Sequence, residues 1–294
     1  MLLPAPLSVP WAASHAALPH AHPRSDGELR LYFSARDDQG RSHVGRAELD
    51  LDPSQADVRV SADPVLVPGA IGAFDDSGVT TSCLVADGER QLLYYTGWSL
   101  GVTVPFYLHV GCAVGRDGGE FERVSSAPLL ERNEVDPYLT ASPWVLIDDG
   151  RWRMWYVSGT GWELKDGALR HSYHVKYAES GDGISWERRG IVCIDFRGEE
   201  EYAISRPCVV KDGELYRMWF SARGDAYRIG YAESGDGVRW ERKDEEAGIQ
   251  SSGDWDSEMQ AYPAVVGHRG TRYLLYNGND YGRTGIGWAV LADD

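Results

Sequence analysis

Basic residues are too few to balance the acids of this sequence: 29 Lys and Arg stand against 45 Asp and Glu, giving a formal charge of −16. This excess repels a phosphate backbone and leaves no basic stripe to offset it, so no nucleic-acid partner is expected. Long apolar runs are also absent, because no segment approaches the ~18 uninterrupted apolar residues of a membrane-spanning helix. The sequence therefore predicts neither a nucleic-acid-binding protein nor a membrane protein.

Cysteine is scarce, with four residues and no C-x-x-C pair. Scattered single cysteines are typical of reduced, buried thiols and argue against a zinc site or a disulfide framework. The first ten residues lack a basic segment and are interrupted by Pro4, Pro6 and Pro10, which does not fit a secretory signal. We therefore expect a cytoplasmic location and no cofactor.

Aromatic residues, by contrast, are abundant, and five aromatic-rich triplets recur along the 294 residues. The triplets are Leu31-Tyr32-Phe33, Leu93-Tyr94-Tyr95, Met154-Trp155-Tyr156, Met218-Trp219-Phe220 and Leu274-Leu275-Tyr276. Their middle residues are separated by steps of 62, 61, 64 and 56. A period of this size indicates a repeat architecture.

Each triplet is followed by a second short strand with a shared pattern, such as His109-Val110-Gly111-Cys112-Ala113 or His174-Val175-Lys176-Tyr177-Ala178. Hairpin turns such as Asp149-Gly150 and Asp212-Gly213 precede the later triplets, and Asp-Gly turns such as Asp182-Gly183 follow the second strands. Helical periodicity is not found. The pattern predicts an all-β fold, a five-bladed β-propeller of four-stranded antiparallel blades that forms one domain over residues 1–294.

The last repeat supplies only three strands before Asp294. Either the N-terminal segment adds the outer strand and closes the ring, or the final blade has three strands. The prolines of that segment are compatible only with an edge strand.

The alternating strand direction places the loops between second and third strands, and the connections between blades, on one face. This face, at the channel mouth, is the predicted active face. Upstream of each inner strand after the first lies an acid: Asp75 and Asp76, Asp136, Glu200 and Glu201, and Asp256 with Glu258. Carboxylates that share one mouth have separated pKa values, as acid/base chemistry at a glycosidic bond requires, although recurrence at one position is also expected from blade geometry alone.

The same face is predicted to carry side chains suited to a saccharide. Trp and Tyr rings stack on pyranoses, and arginines bind carboxylates or phosphates unless neighbouring acids pair with them. The predicted substrate-binding residues are Arg206, Tyr262, Arg223, His171, Trp98, Trp162, Asn277, Asp280 and Arg283. No metal is expected, because the equivalent His43, His109 and His174 lie in different blades, too far apart to share an ion.

The whole chain resembles the five-bladed β-propeller glycosidase superfamily, which includes arabinanases, xylosidases, invertases and mannoside phosphorylases. The resemblance is carried by the repeated Met-Trp-Tyr/Phe strands, by the segments 177–186 and 231–240, and by Ser142-Pro143 and Arg206-Pro207. It implies a funnel-shaped site of carbohydrate size at the channel mouth.

The arabinanase-like members imply an Asp base in the first blade, an Asp that tunes and orients in the second and a Glu acid in the third. This sequence departs from that pattern, since residues 14–20 of its first inner strand contain no acid. The remaining candidates are Asp75 or Asp76 as base or nucleophile, Asp136 as the tuning residue and Glu258 as proton donor. Phosphorylase-like members imply one acid with a basic phosphate site, for which Arg206, Arg223, Arg283 and His171 are available.

Three hypotheses remain open, the third being chemistry on a metabolite that is not a sugar, because propeller mouths host unrelated reactions. The first is an enzyme that cleaves or transfers a glycosyl unit of a small saccharide or sugar conjugate, with phosphate as a further candidate partner. The second is a catalytically silent propeller that binds a glycan or a sugar nucleotide, which the missing first-blade acid favours.

Overall fold

The computed structural model describes residues 1–24, 27–52 and 55–291. Within these ranges the chain is built almost wholly of β-strands, apart from 3₁₀ turns at Pro10–Ala12 and Asp244–Glu246 and a one-turn segment at Asn279–Gly282. The strands are β1 (Leu3–Pro4), β2 (Ser14–Pro23), β3 (Leu29–Arg36), β4 (Ser42–Asp52), β5 (Gln55–Val60), β6 (Gly78–Asp87), β7 (Arg90–Leu100), β8 (Phe106–Gly115), β9 (Glu122–Arg123), β10 (Thr140–Asp148), β11 (Arg151–Lys165), β12 (Ala168–Ser180), β13 (Trp186–Ile194), β14 (Ala203–Asp212), β15 (Leu215–Arg223), β16 (Tyr227–Ser234), β17 (Glu241–Arg242), β18 (Ala261–His268), β19 (Thr271–Asn277) and β20 (Gly285–Leu291). None of the described helices has the length and apolar character needed to cross a bilayer.

The strands pair as five antiparallel meanders, one for each sequence repeat. The meanders are β2–β5, β6–β9, β10–β13, β14–β17 and β18–β20 with β1. Their inner strands contact one another in a closed cycle, β2 to β6, β10, β14, β18 and back to β2. The predicted all-β propeller is therefore confirmed, and the closed cycle of five meanders is consistent with the predicted five blades.

The ring closes through both ends of the described chain. Leu3 and Pro4 of β1 pair with Ile286 and Gly285 of β20, so the N-terminal segment does complete the last blade. Inside the ring, the Asn277 side chain accepts a hydrogen bond from the Leu18 backbone N–H at 2.8 Å and donates one to the Ala16 carbonyl at 2.8 Å. Asn277, predicted to bind substrate, is fully buried and joins the last blade to the first.

The same inter-blade bond recurs around the ring. Backbone N–H groups of Thr81, Ser142 and Tyr262 donate to the hydroxyls of Ser34, Thr96 and Ser221 in the preceding blade, each at 2.8 Å. Side chains at this position of the second strand therefore hydrogen-bond the neighbouring blade. Asn277 does the same, which explains why it is unavailable to a ligand.

The Asp-Gly segments are structural, as the sequence predicts. Asp182 accepts hydrogen bonds from the backbone N–H groups of Ile184 and Ser185, which lower its pKa to about 2. The carbonyl of Gly183 accepts a hydrogen bond from the Tyr94 hydroxyl of the neighbouring blade at 2.7 Å. The middle aromatic of a triplet thus anchors the turn of the next blade, and Trp155 binds Gly237 in the same way.

Candidate functional site

The acids predicted to be catalytic are divided by the fold into buried and accessible carboxylates. Asp75 is fully buried, and its Oδ2 atom accepts hydrogen bonds from the Tyr95 hydroxyl at 3.1 Å and from Arg123 Nε at 2.8 Å. Tyr95 lies on the second strand of the blade and Arg123 on the fourth. Asp75 therefore holds the strands of its own blade together.

Asp136 has the same environment one blade further on. Its Oδ2 atom contacts the Tyr156 hydroxyl at 2.9 Å and Arg188 at 2.8 Å, while Oδ1 accepts from the Ser158 hydroxyl at 2.7 Å and lies 3.3 Å from Lys176 Nζ. Each oxygen atom of this buried carboxylate therefore has two polar partners. The geometry does not favour the predicted tuning role.

A third copy of the network confirms that the recurrence is architectural. Asp256 is also buried and accepts a hydrogen bond from Tyr276 at 2.9 Å, twenty residues later in the chain, the spacing that separates Asp75 from Tyr95 and Asp136 from Tyr156. In the fourth blade Glu201 pairs with Arg242 at 2.6 Å. The repeated acids therefore follow blade geometry, which was the alternative to a shared catalytic cluster.

Asp76 and Glu258 remain accessible, but they are not brought together. Asp76 is half-buried and accepts hydrogen bonds from the Gly72 N–H and the Ser77 hydroxyl in the connection between the first two blades. Glu258 is exposed in the connection between the fourth and fifth blades, where its backbone N–H donates to Asn279 and its carbonyl accepts from Arg228. The two residues lie in connections that are not adjacent in the ring, one between the first and second blades and the other between the fourth and fifth.

A small cavity of about 80 Å³, here called the mouth pocket, lies on the predicted face between the first and fifth blades. Its polar and aromatic lining is supplied by His15, Arg36, Tyr262 and Tyr281, and none of the described residues lining it is an acid. Smaller side chains complete it: Ala17, Leu18, Ser34, Ala35, Ser42 and Thr80. The pocket confirms the position of Tyr262 at the mouth, whereas His15, Arg36 and Tyr281 were not among the predicted site residues.

The lining of the mouth pocket contains the guanidinium of Arg36 and, among the described residues, no acid, although the protein is strongly acidic. Burial lowers the pKa of His15, and the nearby Arg36 and Arg283 lower it further, while Asp280 opposes them. Asp280 and Arg283 lie on the exposed segment at the rim, 3.6 Å apart. The predicted Asp280 and Arg283 are therefore at the mouth, paired with each other.

Arg223 lies at the end of β15 and is surrounded by three tyrosines, here called the tyrosine box: Tyr202, Tyr227 and Tyr281. Its guanidinium carbon is 5.4, 5.3 and 5.5 Å from the three ring centres. Tyr281 also lines the mouth pocket, and the Tyr227 ring lies 5.9 Å from that of Tyr262. The tyrosine box and the mouth pocket are therefore contiguous.

His171 and Trp162 extend this aromatic surface from the hairpin of the third blade. The His171 ring is 5.1 Å from the rings of both Trp162 and Tyr173, and the Tyr173 hydroxyl contacts that of Tyr227. Burial and the neighbouring Arg223 lower the pKa of His171 to about 4, so its imidazole is neutral near pH 7. The structure thus groups three predicted residues: Arg223, His171 and Trp162.

Two other predicted binding residues make structural contacts instead of facing the mouth pocket. Trp98 donates from Nε1 to the Ser42 hydroxyl at 2.7 Å and so fixes one wall of the mouth pocket. Arg206 is fully buried and donates to the carbonyls of Thr81 at 2.9 Å and Pro19 at 2.8 Å, which belong to blades on the far side of the channel. Arg206 therefore crosses the channel and is consumed by backbone carbonyls, contrary to the prediction that it holds substrate.

Solved structures with a similar fold include glycoside hydrolases. A "Crystal structure of a thermostable family-43 glycoside hydrolase" is similar with a TM-score of 0.72 and 16% identity, over 96% of this chain and 91% of that one. A structure described as "The GH130 family of mannoside phosphorylases contains glycoside hydrolases that target beta-1,2 mannosidic linkages in Candida mannan" has a TM-score of 0.68 and 16% identity, over 98% of this chain and 90% of that one. The protein thus shares its fold with these glycoside hydrolase structures, as the resemblance implied.

Sequence comparison gives the particular family. No family model matches the chain. It is 46% identical over 282 residues, 96% of this chain and 94% of the relative, to "Uncharacterized protein Rv1502" of Mycobacterium tuberculosis (strain ATCC 25618 / H37Rv), and equally to "Uncharacterized protein MT1551" of strain CDC 1551 / Oshkosh. The chain belongs to the family of these mycobacterial proteins. It is also 27% identical over 137 residues, 46% of this chain and 44% of the relative, to the "1,2-beta-oligomannan phosphorylase" of Thermoanaerobacter sp. (strain X514).

Proposed function

We propose that this protein binds a small saccharide or sugar conjugate at the mouth pocket and the adjoining tyrosine box. The observation that carries the proposal is that aromatic rings and nitrogen donors share one surface: Tyr262 and Tyr281 lie beside His15, Arg36 and Arg223. Aromatic faces stack on pyranose rings, and arginine and histidine nitrogens donate to sugar oxygens. The glycosidase fold supports a saccharide as the ligand class.

The positions of the carboxylates favour recognition over hydrolysis by the usual pair of acids. Such a pair flanks the glycosidic bond at roughly 5–9.5 Å separation. Here the described residues that line the mouth pocket include no carboxylate, and Asp75 and Asp136 are engaged by tyrosine and arginine inside their blades. The silent, ligand-binding propeller is the hypothesis that this arrangement supports best.

Glycosyl cleavage or transfer is the second candidate. Glu258 is exposed in the connection beside the segment that carries Tyr281, and its carboxyl group is available as a proton donor. The similarity to an oligomannan phosphorylase fits a reaction with one acid and phosphate. Asp76 is the other accessible carboxylate of the predicted set.

Replacing Tyr281 by Asn tests the binding site. Tyr281 has a positive φ of 58°, a conformation that Asn tolerates, so Tyr281→Asn removes the ring with little backbone strain. We expect the affinity for a saccharide selected on a glycan array to fall about tenfold in calorimetric titration, since ring contacts contribute ~0.5–1.5 kcal/mol beyond area burial. Tyr138→Asn, which removes a comparably exposed ring outside the mouth pocket, is the matched control. Equal affinities for Tyr281→Asn and wild type would place the ligand elsewhere.

The variants Glu258→Gln and Asp76→Asn separate binding from turnover. We expect both to bind the selected saccharide as wild type does, with no sugar or sugar phosphate released by any of the three proteins, with or without inorganic phosphate. Chromatography of the reaction mixture provides the measurement. A wild-type turnover that falls about a hundredfold or more in Glu258→Gln would instead establish the enzymatic candidate.

A further inference from the structure

Arg223 is set apart from most arginines of this acidic protein by its lack of an acidic partner. Its side chain makes no hydrogen bond or ion pair with the described residues, and its Nε atom is buried without an acceptor. Other arginines of the chain have an acidic partner: Arg41 is bound by Asp37 at 3.0 Å, Arg170 by Glu163 at 2.7 Å and Arg242 by Glu201 at 2.6 Å.

Asp225 and Asp280, two acids in loops of this face, do not pair with Arg223. Asp225, two residues further on, is exposed, and Asp280 is paired with Arg283. Tyrosine rings occupy the positions where carboxylates would be expected. Burial alone would lower the pKa of Arg223, but Tyr281, Tyr227 and Tyr202 raise it, and the side chain stays charged.

A half-buried guanidinium held by ring faces keeps its N–H donors for an oxyanion. The flat guanidinium presents a fork of donors that matches phosphate or carboxylate, and stacking on rings restrains it without using those donors. Arg36 adds positive charge at the same mouth, as its effects on the pKa values of His15 and Tyr262 show, whereas Arg283 is paired with Asp280. The neutral His171 brings no negative charge to the group.

We infer that Arg223 and the tyrosine box form a subsite for a phosphate group carried by the saccharide, so that the ligand is a phosphorylated sugar or a sugar joined through phosphate to an aglycone. This inference rests on the proposed function and deepens it. The sugar occupies the mouth pocket, and its phosphate reaches Arg223 across the shared ring of Tyr281. Free inorganic phosphate has the same chemistry and is the other source that the experiment separates.

Calorimetric titration of the full chain with mannose, mannose 1-phosphate, mannose 6-phosphate and inorganic phosphate tests the subsite. We expect a sugar phosphate to bind about tenfold or more tightly than mannose and than inorganic phosphate, because hydrogen bonds to charged groups exceed neutral ones. Arg223→Gln should remove this advantage, and Arg223→Lys should retain part of it. Arg239→Gln is the control, because Arg239 lies in the same blade at an exposed turn on the opposite face and its loss changes net charge equally.

Each outcome decides the inference. The inference is overturned if mannose and both sugar phosphates bind equally, or if no phosphate probe binds. It is also overturned if Arg223→Gln binds the sugar phosphates with unchanged affinity. Inorganic phosphate that binds as tightly as the sugar phosphates, with the same dependence on Arg223, assigns the subsite to free phosphate and overturns the claim that the sugar carries it. If neutral glycans bind in a Tyr281-dependent way while phosphate probes do not, the proposed function stands and the subsite fails. Arg223→Lys keeps the test informative if Arg223→Gln does not fold.

Discussion

Asp136→Asn is expected to lower the free energy of unfolding by about 3–5 kcal/mol, the cost of breaking a buried ion pair from one side. The fully buried carboxylate accepts from Arg188, Tyr156 and Ser158 and lies 3.3 Å from Lys176 Nζ. An amide leaves two cations without a counter-charge and directs an NH₂ donor at groups that are themselves donors. The substitution therefore weakens the third blade and its connection to the second blade, and we expect no direct effect on a chemical step.

Urea unfolding followed by tryptophan fluorescence measures this effect, and the melting temperature should fall by about 10 °C. Glu258→Gln is the control from the predicted catalytic set, and we expect its unfolding midpoint to match wild type because Glu258 is exposed. An Asp136→Asn protein that is as stable as wild type but has lost a measurable turnover would contradict the structural interpretation and restore the catalytic one.

Arg206→Ala is the second substitution with a large expected effect, a loss of about 3–5 kcal/mol of unfolding free energy. Arg206 spans the channel, and its removal leaves the carbonyls of Thr81, Leu18 and Pro19 without their donor and opens a cavity among the inner strands. Burial lowers the pKa of Arg206 to about 10, and carbonyl oxygens rather than a carboxylate stabilise its charge. The side chain therefore acts as a cross-brace between non-adjacent blades.

Thermal and urea unfolding of Arg206→Ala, compared with the exposed Arg239→Ala, measure this contribution. Arg206→Lys, which keeps a charge but can reach fewer carbonyls, should fall between the two. If Arg206→Ala unfolds like wild type and its only defect is weaker saccharide binding, Arg206 belongs to the substrate site as the sequence suggested.

The architecture was predictable because its signals are local and repeated. Each blade is a meander of neighbouring segments, so the triplets at 32, 94, 155, 219 and 275 mark five sheets without any knowledge of distant contacts. The Asp-Gly segments form turns stabilised by their own side chains, as at Asp182. The count of strands left two alternatives for the last blade, and the pairing of β1 with β20 shows that the N-terminal segment supplies its outer strand.

The site was less predictable because sequence position does not give the direction of a side chain. Asp75, Asp136 and Asp256 recur because each blade needs an acid that binds a tyrosine twenty residues later, and that spacing was available in the sequence as a sign of a structural role. His15 has a positive φ angle, and no sequence pattern predicted that it lines the mouth pocket.

The repeat alone thus established the fold, its closed ring and the face on which loops gather, because these follow from the order of short antiparallel strands. The tertiary structure was needed to show which polar residues are free on that face. Arg206 and Asn277 are satisfied by backbone groups from blades distant in sequence, whereas Arg223 is surrounded by rings from three separate segments. Whether a polar side chain is free to bind a ligand depends on which groups the closure of the ring brings next to it. Those groups are distant in sequence, so no local pattern in the chain predicts them.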